Sequence, residues 1–278
     1  MAMLSTPDVA HGRQLLPRVQ TYLDDLLRIC AQIEQPLVSM ILFGSAASGG
    51  FSSVSDVDLM IVVPDETTSE GKRALRAEVE RLEIAHGFRT PHPTGALQTR
   101  VERAVGHLIS SFICTREDLI SGDVARILDL RSWEAPFVDR IVLASIVASA
   151  VTAWGEDLLP RVPVPPVRRL DVFKALFGFS CQIVLIVQTF PLLPDATKYA
   201  MGALKHSVHS CFFCYNRRTA DLEQEVDFFD QRLGGSRTLG ELLSLRRQYR
   251  KSFGFVIRCL PTLARIHIRT GRDNDFAK

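Results

Sequence analysis

Residues 41–65 read "ILFGSAASGGFSSVSDVDLMIVVPD", an apolar run that halts at Gly44 and Ser45, crosses a Gly/Ser-rich segment and resumes around Asp56 and Asp58. Interior strands rarely carry carboxylates, yet side chains alternate along a strand, so Asp56 and Asp58 share one face while Val57 and Leu59 point into the core. Two carboxylates this close repel each other unless a cation neutralises them, and hard oxygen donors of this kind suit Mg²⁺ bound together with phosphate oxygens. Gly44 lets the backbone approach where a side chain would collide. The Ser45 hydroxyl and the amides after it can hold phosphate oxygens if a turn or helix begins there. The pieces describe a metal–triphosphate site.

Working outward, apolar residues at Leu16, Val19, Leu23, Leu26 and Leu27 recur at helical steps and predict an amphipathic helix closing at Gln35-Pro36. "LVSMILF" then reads as a buried strand and "DVDLMIVVP" as a second, ended by Pro64. "TSEGKRALRAEVERLEIAHGF" has a Thr/Ser start and apolar residues at Leu75, Val79 and Leu82, which predicts a surface helix. The β-branched and aromatic content of "HLISSFICT" predicts a third strand. Helical patterns follow through "DLISGDVARILDL" and "PFVDRIVLASIVASAVTAWGEDLL". The proline-rich segment 160–169 favours an extended connection. The remainder reads as helices. The expectation is an α/β (α+β) domain over 1–122, with a small mixed sheet flanked by helices, followed by an all-α domain over 123–278.

With 33 basic and 31 acidic residues the chain has a net charge of +2, too little to mark a dedicated nucleic-acid binder. The six cysteines lack the regular spacing of a secreted disulfide scaffold, and no secretory pattern opens the sequence, so a reducing cytoplasm is expected. The stretch Phe173 to Phe190 approaches membrane-span length, but Lys174, Gln182 and Gln188 interrupt it. A buried helix of a soluble domain is predicted there, with no membrane partner.

The constellation "FGS", ten residues, "DVDLMIVV", within a helix-strand-strand-helix order, resembles the nucleotidyltransferases of the DNA polymerase β superfamily. Within that superfamily the chain looks most like the small bacterial members, including aminoglycoside adenylyltransferases and the minimal nucleotidyltransferases of toxin–antitoxin pairs. The resemblance covers roughly 15–119, and such proteins often append a helical domain. It implies transfer of a nucleoside monophosphate from an NTP to an acceptor, with two Mg²⁺ ions, Asp56 and Asp58 as metal ligands, and Gly44 and Ser45 at the nucleotide. A third carboxylate on the following strand usually completes the second metal site or acts as base. "HLISSFICT" contains none, which leaves Glu102 as the candidate third catalytic carboxylate and His107 as an alternative base.

In the second half, "DATKYAMGALKHSVHSCFFCYNRR" places Lys198, Lys205 and His209 near one face of a helix. Related two-domain enzymes commonly offer a lysine from such a helix to the triphosphate, so Lys198 and Lys205 are nucleotide-binding candidates by that resemblance. Cys211 and Cys214 form a single CxxC without a second pair and read as core thiols. "RRQYRKSFGFVIR" and "RIHIRTGR" combine basic and aromatic residues that could touch a nucleic acid such as tRNA. The acceptor is therefore open among a small hydroxylated molecule, a tRNA end and a protein side chain. The alternative to an enzyme is a catalytically weak nucleotide-binding module, or one component of a toxin–antitoxin or defence pair.

Overall fold

The computed structural model describes residues 16–33, 35–44, 47, 57–88, 111–130, 138–164, 166–274 and 276. These fall into two compact units. The first contains the described residues of 16–88, 111–130 and 149–164, and the second those of 138–148 and 166–276.

The first unit is built on a four-stranded mixed sheet. Helix α1 (Pro17–Gln32), with Pro17 at its first position where a missing N–H costs nothing, leads into β1 (Ser39–Phe43). Strand β2 (Asp58–Val63) pairs antiparallel with β1 in the register Leu42↔Leu59 and Phe43↔Asp58. Helix α2 (Ser69–Ala85) starts at Thr68, whose hydroxyl accepts from the Gly71 N–H at 3.1 Å. It returns the chain so that β3 (Ser111–Thr115) lies parallel to β2, and the short helices α3 (Arg116–Ser121) and α4 (Val124–Ile127) follow.

One face of this sheet carries Met40, Leu42, Leu59, Ile61 and Ile113 into a core with Tyr22, Leu23 and Leu26 of α1 and Leu75 and Val79 of α2. Val57 joins that core, as alternation from Leu59 requires. Burying side chains of this size contributes about 1.5–3 kcal/mol each. The opposite face presents Ile41, Phe43, Met60 and Phe112, with the Phe43 and Phe112 rings stacked at 5.9 Å.

The outer neighbour of β1 corrects the helical reading of 136–159. A helix does form over Ile141–Ser149, but the next residues make β4 (Val151–Gly155), antiparallel to β1, and the strand order is β3-β2-β1-β4. Val151, Thr152 and Trp154 suit a pleated surface, and the open edge of β1 supplies the hydrogen bonds. Gly155 ends the strand at φ +83, where a β-carbon would collide with the Val38 carbonyl. Beyond it, Arg116 and Arg161 each donate to the Glu156 carboxylate at 2.9 Å, which joins the start of α3 to the turn after β4.

The second unit is helical: α5 (Ile141–Ser149, its last residue grouped with the sheet), α6 (Arg169–Thr189), α7 (Ala196–Asn216), α8 (Leu222–Leu233), α9 (Arg237–Arg247) and α10 (Phe253–Asp273). Ile183 and Ile186 of α6, Leu204 and Val208 of α7, Phe229 of α8, Leu242 of α9 and Leu263 of α10 share one core. The segment 169–192 is long and apolar enough to cross a membrane by length and composition, with mean hydropathy 1.9. In this fold its Val172, Ala175, Ile183 and Ile186 side is buried, while Leu170, Phe173 and Val184 are exposed, so burial is one-sided.

Cys211 and Cys214 are buried, and burial pushes the Cys214 thiol up to about 12, as expected of core thiols rather than reactive ones. His267 is fully buried. Its Nδ1 lies 3.1 Å from both the Ser207 hydroxyl and the Leu263 carbonyl, while Nε2 has no partner among the described residues.

Candidate active site

Strand β1 delivers the chain to Gly44, which adopts φ +64, a conformation open to glycine and strained for other residues. The register Phe43↔Asp58 sets the first residue of β2 beside this turn. A β-carbon built on Gly44 would fall on the Asp58 carboxylate, so the side chain that glycine lacks is the space the carboxylate occupies. Asp58 is half-buried, whereas Leu59 to Val63 are all buried, so the carboxylate stands where the strand emerges from the interior.

The sheet also fixes what surrounds that carboxylate. Alternation places Asp58 on the same face as Phe43 and Met60, and the parallel register Met60↔Phe112 extends the face onto β3. On the described part of β3 the positions sharing this face are Phe112 and Cys114. Neither is an acid, and burial together with Asp118 pushes the Cys114 thiol up to about 12, so it offers no thiolate for a metal. The stacked pair Phe43 and Phe112 was not identified as part of the site from sequence. Phe43 was recoverable, since it precedes Gly44 and pairs with Asp58, but Phe112 required the parallel register of β2 with β3.

Asp56, Ser45, Glu102 and His107 lie outside the described residues. Among the described residues no group of three or more His, Cys, Asp or Glu side chains is arranged to hold a metal. What is in place fits a divalent cation: a hard carboxylate oxygen at a glycine turn whose backbone can approach closely.

Lys198 and Lys205 lie on α7 in the second unit, Lys198 exposed in the first turn and Lys205 half-buried two turns on. The basic face expected there is interrupted. His209 Nδ1 lies 2.8 Å from the Glu225 carboxylate, which is almost wholly buried at the start of α8. That pairing joins residues on different helices, so helical spacing alone gave no sign of it.

Residues 23–89 match the family described as nucleotidyltransferase domain. This span runs from within α1 through both motif strands and α2 to just beyond Phe88. Comparison with curated protein sequences finds no match. Among solved structures, the chain is similar to spectinomycin adenyltransferase AAD(9) from Enterococcus faecialis, crystallised with ATP and spectinomycin. The TM-score is 0.53 at 10% sequence identity, with 92% of this chain and 99% of that chain covered, which establishes a shared fold. Residues 23–89 thus resemble a nucleotidyltransferase domain, and the chain shares its fold with that solved adenyltransferase.

Proposed function

We propose that this nucleotidyltransferase domain moves a nucleoside monophosphate from a triphosphate, ATP in the first instance, to a hydroxyl of a small acceptor molecule. The observation that carries the reading is the seating of the Asp58 carboxylate against Gly44, inside the span that matches the nucleotidyltransferase family. ATP and a small hydroxylated acceptor are favoured because the structurally similar adenyltransferase was crystallised with ATP and spectinomycin.

Asp58 and Asp56 would hold Mg²⁺. When bound, the metal supplies charge neutralisation for the triphosphate and its leaving group. Gly44 and the amides after it, with the Ser45 hydroxyl, bind and orient the phosphate oxygens. Phe43, paired with Asp58 across the two strands and stacked on Phe112, gives the carboxylate an apolar neighbour on this face of the sheet. Lys198 and Lys205 are proposed to add positive charge toward the triphosphate. Glu102 is proposed to accept the acceptor hydroxyl proton, with His107 as the competing base.

A second reading, a nucleotide-binding module with little catalysis, is favoured by one feature: Phe112 and Cys114 stand on the described part of β3 where an acid would complete the site. Incubation with α-labelled ATP, Mg²⁺ and a panel of aminocyclitols and aminoglycosides separates the two. Label on a small molecule, lost in Asp58→Ala, supports the enzyme. Mg²⁺-dependent ATP binding without transfer to any small molecule, RNA or protein of a lysate supports the module. Transfer that survives Glu102→Ala combined with His107→Ala rules out both proposed bases.

A further inference from the structure

Helix α10 is apolar on two sides. Phe255, Val256, Cys259, Leu263 and Ile266 form its buried side within the core of the second unit. A second seam, Phe253, Ile257, Leu260, Ala264 and Ile268, advances by steps of four, three, four and four residues. At about 100° per residue these five positions fall within an arc of about 80°. Ala264 is half-buried, while Phe253, whose ring lies 4.9 Å from that of Phe190, is 46% exposed, Ile257 48%, Leu260 36% and Ile268 42%. Single exposed apolar residues are ordinary, but a seam with this spacing is the pattern by which one helix receives another.

The charge beside the seam is one-sided. Arg258, Arg265, Arg269 and Arg272 line its flank, displaced around the helix by about a quarter turn. Glu241 engages Arg258 and Asp273 engages Arg269 at 2.8 Å, while Arg265 donates to the Leu233 carbonyl. Among the described residues no acid pairs with Arg265 or Arg272. Residues 237–273 hold nine Lys or Arg against two acids, Glu241 and Asp273, in a chain whose net charge is +2.

We propose that the exposed seam of α10 is the docking site for a partner protein that presents an amphipathic helix with an apolar stripe flanked by Asp and Glu. Twenty-one residues give α10 a length of about 31 Å, enough for a partner helix of five to six turns. Charges flanking a helix–helix seam select the partner, and a basic flank selects an acidic one. A second copy is disfavoured by the same rule, because an antiparallel two-fold contact along the seam sets the arginine flank against itself. The proposal does not depend on the reading of the nucleotide site.

The test uses the full chain and two synthetic 21-residue helices with identical leucine stripes, one flanked by Glu and the other by Lys, followed by fluorescence anisotropy. The Glu-flanked helix should bind at least about tenfold more tightly. Arg265→Glu with Arg272→Glu should invert the preference, a gain for the Lys-flanked helix that misfolding cannot produce. Ile257→Glu with Leu260→Glu should abolish binding of both while circular dichroism shows the fold retained. Equal binding of the two helices, or binding that persists in the Ile257/Leu260 variant, overturns the proposal. A dimer in sedimentation that this variant converts to monomer assigns the seam to a second copy instead. Capture on phosphatidylglycerol vesicles, lost in the variant, assigns it to a membrane surface; either result overturns the proposal as well.

Discussion

The Asp58 carboxylate occupies the volume that a Gly44 side chain would fill. Gly44→Ala therefore has two consequences: strain at φ +64, about 1 kcal/mol or somewhat more, and displacement of the carboxylate. Asp58→Ala keeps the backbone and removes the charge. Both substitutions should reduce transfer by at least about a hundredfold, and Gly44→Ala, which adds backbone strain, should lower the melting temperature more than Asp58→Ala. Full activity in Gly44→Ala would mean that the close approach has no catalytic use.

Triphosphate binding should require Mg²⁺, and Asp56→Ala should weaken it more than Ser45→Ala. A neutral hydroxyl contributes one hydrogen bond, net about 0.5–1.5 kcal/mol, whereas the aspartate anchors a cation that offsets several phosphate charges. Titration calorimetry with and without chelator measures both. Equal affinity in the two conditions would contradict the metal assignment.

Lys205→Ala and Lys198→Ala test the proposed contribution of α7. An ammonium on a flexible stem acts on phosphate as a point charge. If either serves the nucleotide, its removal should raise KM for the triphosphate about tenfold with a smaller fall in kcat. Parental kinetics in both variants would exclude the helix from the reaction.

Burial holds the His267 imidazole down, to about 4 from an ordinary 6.5, so the ring is neutral when folded. Between those two values the unfolded chain binds a proton that the folded chain does not. Stability present above pH 6.5 is therefore lost as pH falls toward 4, by about 3 kcal/mol for this one group. His267→Gln should flatten that slope in urea unfolding measured across this range. An identical slope in the parent and the variant would locate the acid sensitivity elsewhere.

The order helix, strand, strand, helix, the place of Asp58 at the head of a buried strand and the turn at Gly44 are all local patterns, and sequence alone determined them. Period-two alternation assigned Val57 and Leu59 to the core because a strand permits only two faces. Pairings between distant residues were decided only by the tertiary structure. Strand β4 hides at the end of an apolar run that reads as one helix, and becomes a strand because Ser39 meets Gly155 across more than a hundred residues. Phe112 joins Phe43 through a parallel register, and His209 finds Glu225 on the next helix. The second apolar seam of α10 becomes visible once the core has claimed the first. Periodicity shows that a residue is apolar and on which side of its element it lies. Whether that side is covered depends on which other segments pack against it, and that is a property of the folded chain.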